Sequence, residues 1–237
     1  MFKATDDKNN LSNKGLAIVL LSGGMDSCVT TAIANEEYNI ALLHVRYSQR
    51  TQTREYKSFC DIADCYKVPK ERVLITELDY LRKIGGSSLT DPDIDVDISF
   101  ETNARTDIPQ TYVPFRNTHL LSIAVSWAEV IGAEKIYIGA VEQDSPDYPD
   151  CRKEYYDAFN KLIEVGTKPS TNINVVTPLI GMKKSEIVKK GVELNAPLHL
   201  TWSCYKENER ACGKCHSCKL RLNAFKEAGI IDMISYK

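Results

Sequence analysis

The sequence predicts an α/β protein: a parallel sheet with helices on both faces, followed by a separate cysteine-rich element. Three observations predict it. Largely apolar six-residue runs recur along the chain, LAIVLL at 16–21, IALLHV at 40–45, VLITEL at 73–78, KIYIGA at 135–140 and NVVTPL at 174–179. Strands buried on both faces read as such unbroken runs, whereas half-exposed strands alternate. Helically spaced segments lie between the runs, as crossover connections of a parallel sheet require. Finally, the last stretch of chain places Cys204, Cys212, Cys215 and Cys218 in C-x7-C-x2-C-x2-C spacing.

In chain order, residues 1–14 are polar and read as a flexible arm. The first strand runs directly into a helix over 25–37, which stops near Tyr38-Asn39. A second helix is predicted over 52–66, with Pro69 beyond it. The region 85–110 breaks the rhythm with Gly-Gly-Ser-Ser and then Asp91, Asp93, Asp95 and Asp97. It reads as an inserted loop or flap. The alternating carboxylates resemble a calcium loop but lack its glycine and distal glutamate, so a solvated loop is expected. Asn117 is predicted to cap a helix over 118–131, closed by Gly132. Helices follow at 152–166 and 183–191, and an amphipathic helix after Cys218 ends at Gly229. The expected organisation is an α/β domain over 15–192 and a cysteine-bearing element over 193–237.

With 237 residues and 43% hydrophobic content, the chain can bury a substantial core. A net charge of −2 gives no global field for nucleic acid. No apolar run approaches the roughly 18 residues of a membrane span, and Leu16–Leu21 is too short for a signal peptide's apolar region. A cytoplasmic protein is expected, and clustered cysteines in such a chain point to metal rather than disulfides.

The stretch Ser22-Gly23-Gly24-Met25-Asp26-Ser27 stands where the first strand meets the first helix. Glycines there let backbone N–H groups approach an anion, and the helix dipole favours negative charge. Ser22 and Ser27 add hydroxyls. Asp26 suits this place if it holds Mg²⁺ or accepts backbone N–H bonds at the helix start. The plain alternative is a tight turn with Asp and Ser as ordinary caps. The six residues match the SGGxDS signature and resemble the PP-loop ATP pyrophosphatases. That resemblance implies a turn that grips the pyrophosphate of ATP. It also implies cleavage between the α and β phosphates, leaving an adenylate on the substrate. Lys184 matches a basic position after the last strand in many such enzymes. It would neutralise phosphate charge, or it is simply a solvated lysine at a helix start.

For the four cysteines the spacing lets three thiolates converge on one ion while Cys204 closes a tetrahedron, which suits structural zinc. An iron–sulfur cluster and a coincidental set of buried thiols are the alternatives. Cys28, Cys60, Cys65 and Cys151 are scattered and read as small apolar residues, Cys151 in polar company.

Over residues 16 to about 232 the chain resembles the 7-cyano-7-deazaguanine synthase (QueC) family. The resemblance is carried by RYSQRTQTRE (46–55), IGGSSLTD (84–91), TYVPFRNTHLLS (111–122), IGAVEQDSPDYPDCR (138–152), GTKP (166–169), VTPLIGMKKSEI (176–187) and LTWSCYKENERACGKCHSCKLR (200–221). It implies an adenine-nucleotide α-hydrolase-like (PP-loop) fold, a structural zinc, and ATP with Mg²⁺ as co-substrate. The implied reaction converts 7-carboxy-7-deazaguanine and ammonia to the nitrile in queuosine-type biosynthesis. ATP would meet Leu21, Ser22, Gly23, Gly24, Asp26, Ser27 and Lys184. Candidate substrate residues are Tyr47, Gln49, Arg50, Arg116, Asn117, Glu142, Asp144, Tyr148, Asp150 and Arg152. A guanine-like ring wants a carboxylate for its N–H edge and an aromatic face to stack on.

The chain departs from the family before Gln49-Arg50. The usual pattern is Asp or Asn, then Tyr-Gly; here it is Arg46-Tyr47-Ser48. If that loop lines the pocket, the reaction could stop at the amide or use another amine acceptor. The other functions weighed are a tRNA-modifying PP-loop enzyme, a glutamine-fed amidotransferase and a nucleotide sensor. Against them stand the slightly negative charge, the lack of a glutaminase segment, and the intact SGGxDS with its polar rim. The expected partners are small molecules, not nucleic acid or membrane, and a second copy in a homodimer.

Overall fold

The computed structural model describes residues 14–94, 108–142 and 148–237. The arm's residues 1–13, most of the 85–110 loop's second half and Asp144 lie outside the described residues. Five strands form one sheet: β1 (Leu16–Leu20), β2 (Asn39–Arg46), β3 (Val73–Glu77), β4 (Lys135–Ile138) and β5 (Asn174–Val176). Their spatial order is β3-β2-β1-β4-β5, and every pairing is parallel. The helices are α1 (Met25–Glu37), α2 (Gln52–Cys65), α3 (Tyr80–Ile84), α4 (Arg116–Ile131), α5 (Lys153–Gly166), α6 (Lys184–Glu193) and α7 (His216–Ala228).

The apolar runs do what a two-sided sheet demands. Ile18 and Leu20 pack with Ala41 and Leu43 against Leu121, Ala124 and Ala128 of α4 and Tyr156, Phe159 and Ile163 of α5. Their neighbours Ala17, Val19 and Leu21 pack on the other face, with Cys28 of α1 and Phe59 and Ile62 of α2. One strand thus serves two cores, because successive side chains point to opposite faces. A third cluster joins Met25 and Val29 of α1 to Ile187 and Val188 of α6 and Phe225 of α7. Gly191 makes that contact possible: a Cβ there would lie 2.9 Å from Val29 Cγ2.

The strand order reverses at β1: β2 and β3 are laid to one side of it, and β4 and β5 to the other. Parallel sheets bind ligands outside the carboxyl ends of strands at such a switch point.

Two expectations need correction. Asn117 does not cap α4. The cap position is Phe115, held in the left-handed region at φ 58°, and the helix begins at Arg116. The carboxylate of Asp150 supplies the missing acceptor, its Oδ2 receiving the Asn117 N–H at 3.0 Å. The start of the 85–110 loop is also not solvated. Ser87, Ser88, Leu89 and Thr90 are buried, and Arg50 holds this segment through the carbonyls of Ser88, Asp91, Pro92 and Ile94.

Candidate active site

The β1–α1 turn is built for close approach. Gly23 has φ 93°, and a Cβ there would sit 2.5 Å from the Glu55 carbonyl oxygen. Only glycine fits that conformation and that space. Gly24 is the N-cap of α1 and provides no side-chain cap. The serines tie the turn to itself. The Ser22 N–H donates to Ser27 Oγ at 3.2 Å, Ser27 Oγ donates to the Gly24 carbonyl at 2.9 Å, and the Gly24 N–H donates to Ser22 Oγ at 3.2 Å. The helix N-terminus is thereby left for an external anion.

Asp26 lies in the first turn of α1, and its Oδ2 is 2.6 Å from Lys184 Nζ at the start of α6. Its other oxygen, Oδ1, is buried with no partner among the described residues. Lys184 is therefore not a solvated lysine: its side chain is 16% exposed and packed against the turn. A buried carboxylate oxygen without a donor, beside a phosphate-type turn, fits a hard cation that accepts oxygen ligands. Gly139, just past β4, presses on the same backbone; a Cβ there would meet Asp26 C and Ser27 N at 2.9 Å.

These groups open into a cavity of about 920 Å³. It runs over the carboxyl ends of β1, β2 and β4 and is lined by Leu21, Ser22, Gly24, Asp26, Ser27 and Lys184 at one end. The other end holds Tyr47, Arg116, Tyr112, Tyr148 and Tyr205. Tyr148 and Tyr112 stack at 5.6 Å between ring centres, and the Tyr148 hydroxyl bonds the Thr111 hydroxyl. Arg116 donates to the Tyr47 hydroxyl at 3.1 Å. Burial holds the Tyr47 and Tyr148 phenols above their ordinary pKa, so both stay neutral donors.

The remaining candidates divide. Gln49 is buried and engaged within its own loop, accepting from the Tyr47 N–H and donating to Glu55. Arg50 lines the cavity but is occupied by the 88–94 backbone. Asn117 and Asp150 also line the cavity but are locked to each other, the Asn117 amide donating to the Asp150 carbonyl at 2.7 Å. Glu142 and Arg152 are not among the lining residues; Arg152 sits at the N-cap of α5, 3.7 Å from Glu154. Cys151 does line the cavity, but burial pushes its thiol up to about 11. It stays protonated near neutrality and is a poor nucleophile.

The departures at 46 and 48 face elsewhere. Arg46 pairs with Glu77, its register partner on β3, and Ser48 at φ 61° donates to Asp79 Oδ1 at 3.0 Å. Neither residue is among those lining the cavity.

Sequence reasoning missed several contributors. His44 is fully buried on β2 and sits 2.9 Å from the Leu21 carbonyl through Nδ1. A carbonyl only accepts, so Nδ1 carries the proton, and burial keeps the ring neutral. Trp202 donates its backbone N–H to the Gly23 carbonyl at 2.9 Å, and Arg54 lies over its ring at 4.5 Å. Arg221 is 2% exposed, paired with Asp232 at 2.7 Å and bonded to Thr201, Ser203 and Leu198. A polar residue inside an amphipathic helix gives no sequence signal of that kind; only the fold brings its partners in.

The four cysteines converge, with all four sulfurs within 4.8 Å of one another. Cys212 and Cys218 are 3.9 Å apart, close to the roughly 3.8 Å edge of a tetrahedron with 2.3 Å metal–sulfur bonds. Backbone N–H groups of Lys206 and Cys212 point at Cys204, and those of Lys214 and Cys215 at Cys212. Such donors stabilise thiolates. This donor set fits one metal ion. A cluster with a separate iron for each sulfur needs the thiolates spread further apart.

A parallel sheet with a glycine turn at its switch point, a polar and aromatic cavity above it and a metal-type cysteine cluster beside it defines an α/β protein with a candidate active site at the carboxyl ends of its strands. The chain belongs to the QueC family, whose model, described as "Queuosine biosynthesis protein QueC", matches residues 16–229. The 7-cyano-7-deazaguanine synthase of Chlorobium chlorochromatii (strain CaD3) is 58% identical over 223 residues, covering 93% of this chain and 96% of that one. That of Chlorobium phaeobacteroides (strain DSM 266) is 59% identical over 222 residues, with the same coverage. Relatives at this level carry the name of a synthase, and the chain is an enzyme. Among solved structures, the NMN synthetase of Francisella tularensis aligns at a TM-score of 0.48 and 13% identity, over 94% of this chain and 80% of that one. That likeness is too loose to bear on the chemistry.

Proposed function

We propose that the protein makes 7-cyano-7-deazaguanine from 7-carboxy-7-deazaguanine and ammonia, at the expense of two ATP. The observation that carries this reading is the single cavity joining the glycine turn with Lys184 to an aromatic end with Arg116, in a chain 58% identical to a synthase of that name.

The carboxylate attacks the α-phosphorus of ATP, releasing pyrophosphate and giving an acyl adenylate. Ammonia adds, the nitrogen loses a proton, and AMP leaves to give the amide. The amide oxygen attacks the α-phosphorus of a second ATP, releasing pyrophosphate and one N–H proton. The resulting imidate loses its N–H proton and AMP, and the nitrile forms. Both oxygens of the acid depart on AMP. Neither dehydration proceeds in water without such a leaving group.

The α1 N-terminus and the Gly23-Gly24 backbone receive the phosphates, and Lys184 offsets the charge that builds on the departing pyrophosphate. Asp26 would hold Mg²⁺ through Oδ1; the ion supplies further charge neutralisation. The tyrosine wall orients the flat ring. Positioning within the cavity accounts for much of the acceleration. Zinc in the cysteine cluster is structural and fixes the loop that reaches the turn through Trp202. On this reading residues 15–192 form the ATP-binding unit and 193–237 its stapled extension. A ligase working on small molecules in the cytoplasm as a homodimer is the setting proposed with it. Arg46 and Ser48 face away from the cavity, so nothing favours arrest at the amide or another acceptor.

The test is release of AMP and pyrophosphate that depends on the acid. Wild type should release both only when 7-carboxy-7-deazaguanine is present, and Asp26→Ala should release neither. Acid-independent release, or none with this acid, would overturn the reading.

A further inference from the structure

Among the described residues three arginines line the cavity: Arg50, Arg116 and Arg221. Hydrogen-bond accounting separates them. An arginine offers five N–H donors in a fixed fork. Arg50 directs its Nε and NH2 groups at four backbone carbonyls. Arg221 engages all three of its nitrogens, two of them with Asp232. Both are structural staples.

Arg116 differs. Among the described residues its side chain makes one hydrogen bond, to the Tyr47 hydroxyl. Its Nε is buried without a partner. Tyr47, kept neutral by burial, cannot offset its charge. The Asp150 carboxylate is turned to the Asn117 N–H and makes no ion pair with it among the described residues. A cation this poorly matched, on a cavity wall, is costly unless an anion completes it.

The surroundings say which anion. The proposed reaction puts phosphate at the glycine turn, where α1 starts without a side-chain cap and Lys184 stands beside Asp26. Around Arg116 stand Tyr47, whose ring centre is 5.6 Å from the guanidinium carbon, and the Tyr112–Tyr148 stack. Flat aromatic walls suit a flat ring, and a planar guanidinium suits a planar carboxylate.

We propose that Arg116 binds the carboxylate of a planar aromatic acid and thereby distinguishes the acid from its own amide. The inference rests on the proposed reaction and adds a division of labour to it. The first adenylation begins from an anion that Arg116 recognises. The second begins from a neutral amide that it does not, so the amide stays in the cavity through its ring contacts alone. Arg116 acts on binding of the first substrate, not on the phosphates.

The test is equilibrium binding of 7-carboxy-7-deazaguanine and of its amide to the full-length protein, with steady-state assays started from each. Wild type should bind the acid about 10-fold or more tighter than the amide, as expected for a hydrogen-bonded charge. In Arg116→Gln the acid should lose about 10- to 100-fold in affinity and in kcat/KM, while the amide and the KM for ATP shift by less than about 3-fold. Equal losses for acid and amide, or a loss falling on ATP, would overturn the proposal. If Arg116→Gln does not fold, the wild-type ratio decides alone, and equal affinities overturn it. Failure of wild type to bind either compound overturns the proposed function as well, a result separate from binding both equally.

Discussion

Lys184 Nζ lies 2.6 Å from Asp26 Oδ2, although 158 residues separate them in the chain. The contact joins the N-terminus of α6 to the first turn of α1, and both residues line the cavity together with the glycine turn. On the proposed reaction this cation and carboxylate stand where the pyrophosphate of ATP would leave.

Removing the Lys184 charge should therefore cost rate more than fold. Lys184→Met should lower kcat/KM by about 10²- to 10³-fold, the range for losing one preorganised charge-stabilising group. AMP release checks the rate. A thermal melt checks that Tm moves by only a few degrees. A collapse of Tm with activity per folded molecule unchanged would mean the lysine only braces α6.

Gly139 should be as sensitive as the turn itself. A Cβ would meet the Asp26 and Ser27 backbone at 2.9 Å, and neither atom can swing aside. Gly139→Ala should cost about 1–3 kcal/mol of stability by overpacking, and should raise the KM for ATP more than that for the acid. Gly166→Ala is the control. A Cβ there meets nothing within 4 Å, at the end of α5, and the change should be neutral or slightly stabilising.

The cysteine cluster should hold one zinc per chain by metal analysis. Cys215→Ser should lose that zinc and melt at lower temperature, because metal-binding free energy is folding free energy for such an element. Loss should also weaken ATP binding, since Trp202, two residues before Cys204, holds the Gly23 carbonyl. A brown protein with visible absorbance would instead establish an iron–sulfur centre.

The unusual Arg46 and Ser48 should leave the product unaltered. Restoring the family pattern with Arg46→Asn and Ser48→Gly removes a surface ion pair worth at most about 1 kcal/mol. It also relieves a left-handed backbone at Ser48. Stability should change by about 1 kcal/mol or less, and mass spectrometry should find the same product before and after. A switch from amide to nitrile would show that these positions govern the outcome.

What could be read from the sequence follows from how local each feature is. The sheet was legible because both-faces burial leaves continuous apolar runs, and Ser22–Ser27 because a strand, a turn and a helix start are adjacent in the chain. Cys212, Cys215 and Cys218 were legible through their spacing. Asn117 was misread as a cap because the carboxylate that serves α4 is Asp150, 33 residues away. Arg50 and Arg116 look alike in sequence, and only their acceptors tell them apart. His44, Gly139, Trp202 and Arg221 carry no local pattern, since each matters through a partner brought in by the fold.

The most direct test of the central claim is a mass-spectrometric product assay with purified protein, 7-carboxy-7-deazaguanine, ammonium and Mg-ATP. The nitrile should form, with two AMP released per nitrile, and Asp26→Ala should give no product. Accumulation of the amide alone, or of a conjugate with another amine, would contradict the claim.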